Sequence, residues 1–379
     1  MFNRREFLKA LGVGTSLLLW PSLAAADSPL GKRRLVVVLL RGALDGLAAV
    51  PCDSDPAYQR LRGSLASQEG VVAPRLDGTF SLHRSLAFCH RLYQAGDFAV
   101  VHACGLPYQG RSHFDAQECL ENGTATPTGS RTGWLNRAVG SLGDTQGLGL
   151  TSSRPLLIRG PAPFATWSPS AHGTTQPSLA QRVAALYRQD PRLGPVFERA
   201  LAMQQMAPTD IDSGGLLKDT LAAAAQFLAA ADGPQIAMVE DDGWDTHARQ
   251  NAVLSRKLEQ LDGGLAALHG KLGERWQHTA VVVITEFGRT VAVNGTGGTD
   301  HGTASCILLA GGAIRGGRVH GQWPGLARLR DDRDLIAAQD TRAVLKGVLR
   351  DHLGLDLDPL AEQVFPDSRQ VAPLAGLIG

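Results

Sequence analysis

Short runs of apolar residues without alternation punctuate the chain at Leu35–Leu40, Phe98–His102, Gln235–Val239, Thr279–Ile284 and Cys306–Ala310. Such runs predict strands buried on both faces, as in a parallel sheet. Helical periodicity fills the intervals. Ser81 to Ala95 brings Leu82, Leu86, Phe88, Leu92 and Tyr93 near one face, and Gln181 to Met206 predicts two helices broken at Pro191. Leu216 to Ala231 is alanine-rich, and Ala252 to Leu272 carries Leu254, Leu258, Leu261, Leu265 and Leu268. Thr341 to Leu353 follows Asp340, a suitable N-cap. Strands alternating with helices predict an α/β fold: a doubly wound, mainly parallel sheet with helices on both faces.

Two stretches lack either period. Residues 105–133 are rich in Gly, Ser, Thr and Arg, and residues 159–178 hold Pro161, Pro163, Pro169 and Pro177. Both are expected to be surface loops or a lid on a single domain spanning 27–379.

The first 26 residues belong to a different class. Arg4 and Arg5 precede Phe7-Leu8-Lys9, then an apolar run ending at Trp20, then Ala24-Ala25-Ala26. This is the layout of a twin-arginine signal peptide, which implies a bacterial protein handed folded to the twin-arginine translocase and released to the periplasm or medium. Without that segment, 34 basic residues face 35 acidic ones. A balance so close to neutral offers no footprint for nucleic acid or anionic lipid. No later run is long and apolar enough to span a bilayer.

Cysteine usage narrows the chemistry. Cys52, Cys89, Cys104, Cys119 and Cys306 contain no Cys-x-x-Cys pair, which excludes a zinc ribbon or a thioredoxin-like motif. Mostly buried thiols are expected, with a periplasmic disulfide such as Cys89–Cys119 left open. His-Glu-x-x-His, Gly-x-Ser-x-Gly and phosphate-cradling loop motifs are also absent from the sequence.

Polar residues gather where the apolar runs end. Arg41-Gly42-Ala43-Leu44-Asp45 follows the first run, and Gly110-Arg111-Ser112-His113-Phe114-Asp115 comes shortly after the second. Glu240 to His247, including Asp245-Thr246-His247, follows the third, and Thr285-Glu286-Phe287-Gly288-Arg289 the fourth. Gly298-Thr299-Asp300-His301-Gly302 precedes the fifth. In open α/β sheets, ligands bind beyond the carboxyl ends of the strands. Carboxylates brought together there repel, and a divalent cation relieves the repulsion. Mixed carboxylate and imidazole donors suit zinc or manganese.

Taken in order, these motifs, with Gly133-Trp134-Leu135 and Gly311-Gly312-Ala313-Ile314-Arg315-Gly316-Gly317, resemble an uncharacterised family of twin-arginine-exported bacterial proteins within the alkaline-phosphatase-like superfamily. The resemblance covers essentially the whole chain after residue 26. It implies an alkaline-phosphatase-like α/β fold and one or two divalent ions, zinc foremost, with manganese, magnesium or calcium as alternatives. By position, Asp45 and Glu286 resemble ligands of one metal, and Asp245, His247 and His301 ligands of another, with Asp300 as a further candidate. Ser112 takes the place of the metal-activated nucleophile, and Arg111 or Arg289 that of an anion clamp. His113 is open between replacement ligand and substrate contact, and His102 is a candidate for orienting a ligand.

The chain departs from the phosphatase pattern at Phe287, where a histidine is common, and in the short spacing of Asp245 and His247. The sulfatase Cys/Ser-x-Pro/Ala-x-Arg motif is missing. The implied activity is hydrolysis of phosphate or sulfate esters, small or polymeric. The alternative is a non-catalytic binding protein of the cell envelope on the same fold.

Overall fold

The computed structural model describes residues 31–66, 73–143, 145–168 and 216–379, with isolated positions between 182 and 206. The segment expected to be an export signal, and most of the two helices expected over Gln181 to Met206, lie outside the described residues.

All five apolar runs form strands. They are β1 (Arg34–Leu40), β2 (Phe98–Gly105), β5 (Ile236–Asp241), β6 (Thr279–Thr285) and β7 (Ser305–Ala310). Shorter strands β3 (Gly147–Leu150), β4 (Phe164–Trp167), β8 (Arg318–His320) and β9 (Gln339–Asp340) complete a sheet of order β4-β3-β5-β1-β6-β7-β2-β8, with β9 on β2. β1 lies parallel to both β5 and β6, in register Leu35 to Ile236 and Leu35 to Ala280. β7 runs antiparallel to both β6 and β2, so the sheet is mixed and mostly parallel.

Alternation along β1 divides the core between the two faces. Val36, Val38 and Leu40 join one apolar cluster, and Leu35, Val37 and Leu39 the other. On the first face lie the helices Ala87–Ala95, Leu217–Ala229 and Gln250–Leu272. The last buries Leu254, Leu258, Leu261, Leu265 and Leu268 at helical spacing. Each such leucine contributes about 1.5–3 kcal/mol of transfer free energy. The second face carries the helices His113–Asn122, Trp134–Ser141 and Thr341–Leu353. Asp340 caps the last of these, its carboxylate accepting from the Arg342 N–H at 2.8 Å. Among the described residues, no helix is long and apolar enough to cross a membrane.

Several expectations are corrected. Residues 105–133 are not one loop, because they contain the helix His113–Asn122, and the Pro-rich stretch contains β4. The helix expected from Ser81 begins at Ala87. All five cysteines are free and buried. Cys89 packs in one core cluster and Cys119 in the other, so the sheet separates them and no disulfide joins the pair.

Candidate metal centre

The carboxyl ends of β1, β5 and β6 deliver three loops to one point, and backbone geometry holds those loops close. Gly42, at φ 113° just past β1, donates its N–H to Glu286 Oε1 at 2.8 Å. A Cβ there would stand 2.5 Å from the Asp245 backbone nitrogen, so only glycine permits this approach. Gly298 is equally confined, since a Cβ would meet the His247 carbonyl carbon at 2.3 Å.

Four donor groups converge: His113, Asp245, His247 and His301. His113 Nε2 lies 3.0 Å from His301 Nε2 and 3.4 Å from Asp245 Oδ2. Asp245 Oδ1 lies 3.5 Å from His301 Nε2. His247 Nε2 is 3.0 Å from both His301 Nε2 and Asp245 Oδ1. The donors thus form two triangles sharing the edge between His301 and Asp245. Tetrahedral zinc with metal–ligand distances near 2.0 Å has donor–donor edges of about 3.3 Å. The separations within the trio His113, Asp245 and His301 lie on that scale, and His247 stands against its Asp245–His301 side.

The far nitrogen of each ring decides what the near one presents. His113 Nδ1 lies 2.8 Å from Glu286 Oε1, His247 Nδ1 lies 3.1 Å from Asp300 Oδ1, and His301 Nδ1 lies 2.9 Å from the Arg111 carbonyl. All three partners accept hydrogen bonds, so each Nδ1 carries the proton and donates it. Each Nε2 therefore presents a lone pair toward the others and toward Asp245. Bare nitrogens 3.0 Å apart beside a carboxylate repel, and either a proton on one ring or a metal ion among them relieves that repulsion. The donor set fits a divalent metal, and three imidazoles with one carboxylate favour zinc over magnesium or calcium.

The surrounding residues fix this arrangement. Buried Arg289 donates Nη1 to Asp245 Oδ1, Nη2 to the Thr299 carbonyl and Nε to Thr299 Oγ1 at 3.2 Å. Burial raises the Asp245 pKa, but the Arg289 hydrogen bond and charge outweigh it and hold the carboxyl below the usual range. Glu286 is buried, which also acts to raise its pKa. Donation from His113, from Gln117 Nε2 at 3.0 Å, from backbone and from Gly42 prevails and keeps it ionised. The same Glu286 bond raises His113, while burial lowers His301. Phe287, the departure from the phosphatase pattern, stacks on His113 with ring centroids 4.8 Å apart.

The expected ligands therefore divide. Asp245, His247 and His301 are brought together, and His113 joins them. Glu286 and Asp300 accept from ligand rings and stand behind His113 and His247. Asp45 is corrected most. Its Oδ1 accepts from the N–H groups of Leu47 and Ala48 at a helix N-terminus, and its Oδ2 from Arg62 Nη2 at 2.6 Å and Gln250 Nε2 at 2.5 Å. Four donors leave its carboxylate no open side for a metal.

The expected catalytic residues are likewise engaged. Ser112 caps the helix His113–Asn122, accepting from the Asp115 N–H at 3.4 Å. The Arg111 guanidinium binds Asp331 at 2.6 Å and Asp334 at 2.9 and 2.7 Å, and Arg289 is committed as above. Neither arginine is a free clamp. His102 lies in the core instead, stacked on Phe80, with Nε2 3.0 Å from the Val50 carbonyl and Nδ1 accepting from the Ala103 N–H.

Residues 104–343 match the model of a family described as protein of unknown function (DUF1501). The chain belongs to this family. The matched segment contains His113, Asp245, His247 and His301, so the converging donors lie within the family's own domain. No curated protein matches the chain by sequence. Among solved structures, the chain is similar to the zinc complex of the C-terminal periplasmic domain of EptC from Escherichia coli. Identity is 9%, coverage 77% of each chain, and the TM-score 0.41. It is also similar to alkaline phosphatase from the Antarctic bacterium TAB5, at 10% identity, 73% and 91% coverage and a TM-score of 0.36. A third similarity is to a protein of glycosaminoglycan metabolism in Bacteroides thetaiotaomicron, at 9% identity, 90% and 75% coverage and a TM-score of 0.44. None of these is similar enough to assign an activity to this DUF1501 chain.

Proposed function

We propose that this DUF1501 protein is an exported, metal-dependent hydrolase of phosphate or sulfate esters acting in the periplasm or outside the cell. The observation that carries the reading is the convergence of three imidazole Nε2 atoms and the Asp245 carboxylate, each ring oriented by an acceptor behind it. A bound zinc ion would supply Lewis-acid charge to an ester oxygen and lower the pKa of a hydroxyl or water brought to it. The side chains of His247 and Asp245 are 46% and 37% exposed, which leaves an approach for substrate on their side of the centre.

Ser112, directly preceding the ligand His113, is the candidate nucleophile. Its hydroxyl retains a proton to give even while accepting from Asp115, and the N-terminus of the helix it caps favours negative charge developing there. Zinc-loaded protein should hydrolyse at least one member of a panel of aryl phosphates, phosphodiesters and aryl sulfates. Ser112→Ala should lose turnover and keep its zinc. A zinc-loaded protein inert across the panel would overturn the hydrolytic reading.

A second reading, a non-catalytic envelope protein that binds a polymer or protein partner on the same fold, is favoured by one observation. Arg111 and Arg289 are both occupied by protein groups, so neither is free to hold a phosphate or sulfate. In that case Ser112→Ala changes nothing measurable beyond the helix cap.

A further inference from the structure

A buried chain of polar groups runs from Asp45 to the metal ligands, and Gln250 is its middle. Gln250 is fully buried at the first residue of the helix Gln250–Leu272. Its Nε2 donates to Asp45 Oδ2 at 2.5 Å, which fixes which end of the amide faces which way. Its Oε1 accepts from Thr246 Oγ1 at 2.8 Å and from Thr299 Oγ1 at 2.6 Å. Thr246 lies between the ligands Asp245 and His247. Thr299 lies two residues before His301, and through its Oγ1 and carbonyl it also holds Arg289, the partner of Asp245.

We infer that Gln250 is a positioning residue for the metal ligands, clamping the segments 245–247 and 299–301 through one amide group anchored on the Arg62–Asp45 pair. This inference rests on the reading of the converging donors as a metal site. The anchor is rigid: Arg62 is fully buried, and besides Asp45 it donates Nη1 to the Val291 carbonyl at 3.1 Å and the Thr290 carbonyl at 3.4 Å. The guanidinium supplies at Asp45 the positive charge that the sequence had suggested a metal would supply. One backbone bond, Thr299 N–H to the Thr246 carbonyl at 3.1 Å, already ties the two segments. It leaves rotation of the flanking side chains free, and the hydroxyl bonds to Gln250 remove that freedom. A side chain that holds a ligand in its binding orientation is paid out in metal affinity, commonly about 10–100-fold.

The test measures zinc affinity of the intact chain by competition with a chromogenic chelator, with folding checked by circular dichroism in the zinc-free state. Gln250→Met keeps the volume and removes the amide, and Thr299→Val keeps the shape and removes the hydroxyl. Both should bind zinc about 10–100-fold more weakly, whereas Thr299→Ser, which keeps the hydroxyl, should stay near wild type. Should Gln250→Met fail to fold, Thr246→Val, which removes a hydroxyl bonded to Gln250 and leaves Arg289 untouched, decides the matter together with Thr299→Val. Wild-type affinity in folded Thr299→Val would overturn the positioning role alone. Wild-type protein that binds no zinc would overturn the metal-site reading and this inference with it.

Discussion

His113 Nδ1 donates to Glu286 Oε1 across 2.8 Å, joining a helix that begins after β2 to the end of β6. That bond engages the carboxylate at the end of β6 with a ring that carries one of the converging donors. It also fixes His113 as the tautomer whose Nε2 lone pair faces His301. Glu286→Gln should weaken this. Gly42 N–H and Gln117 Nε2 donate to the same Oε1, so an amide keeps its oxygen toward Nδ1 and what is lost is the carboxylate charge behind the His113 ring. Zinc affinity should fall about 10–100-fold with the fold retained, as read by chelator competition and circular dichroism.

Asp45→Ala separates a structural carboxylate from a ligand. Removing it strands the Arg62 guanidinium in a site with no exposure, at a cost of about 3–5 kcal/mol. The loss should appear in denaturant unfolding with zinc chelated, at nearly full size. A variant that is destabilised only when zinc is present would return Asp45 to the metal.

Gly42→Ala addresses the close approach of the loops. The residue sits at φ 113°, and its Cβ would press on the backbone of Trp244 and Asp245. Strain in φ alone costs about 1–3 kcal/mol, and displacement of Asp245 should weaken zinc binding as well. Thermal unfolding of the zinc-free and zinc-loaded variant measures both effects.

Much of the scaffold was legible because strands buried on both faces appear as unbroken apolar runs. Their direction was not, since an apolar run has no polarity of its own, and the antiparallel course of β7 leaves no mark in its residues. The helix His113–Asn122 was hidden by its polar first turn, although Ser112 and Asp115 stand at capping-box spacing and were the available signal. Asp245, His247 and His301 were legible as chemistry. Which acids coordinate and which orient was not, because that depends on partners far away in sequence. Arg62 is 17 residues from Asp45, and Gln250 is 205 residues from it.

His102 provides a pH-dependent term remote from the metal ligands. Burial lowers its pKa from the usual histidine value to about 4. The unfolded chain therefore binds a proton near pH 6.5 that the folded chain refuses until about pH 4. The stability contribution is intact above pH 6.5 and is lost as pH falls through that window, by at most about 1.4 kcal/mol per pH unit. His102→Phe should lower stability at pH 7 through its lost hydrogen bonds. The gap between wild type and variant should narrow from pH 6.5 to 4, measured by denaturant unfolding in chelator. A constant gap would contradict the assignment.

Everything proposed for this site depends on His113, Asp245 and His301, with His247 beside them, holding one metal ion. Zinc K-edge absorption spectroscopy on the intact protein, with metal content per chain measured on the same sample, tests it most directly. One zinc per chain is expected, surrounded by imidazole nitrogens and carboxylate oxygen at about 2.0 Å, with that signal lost in His113→Ala. Two zinc ions per chain, a shell without imidazole, or an unchanged spectrum in His113→Ala would contradict it.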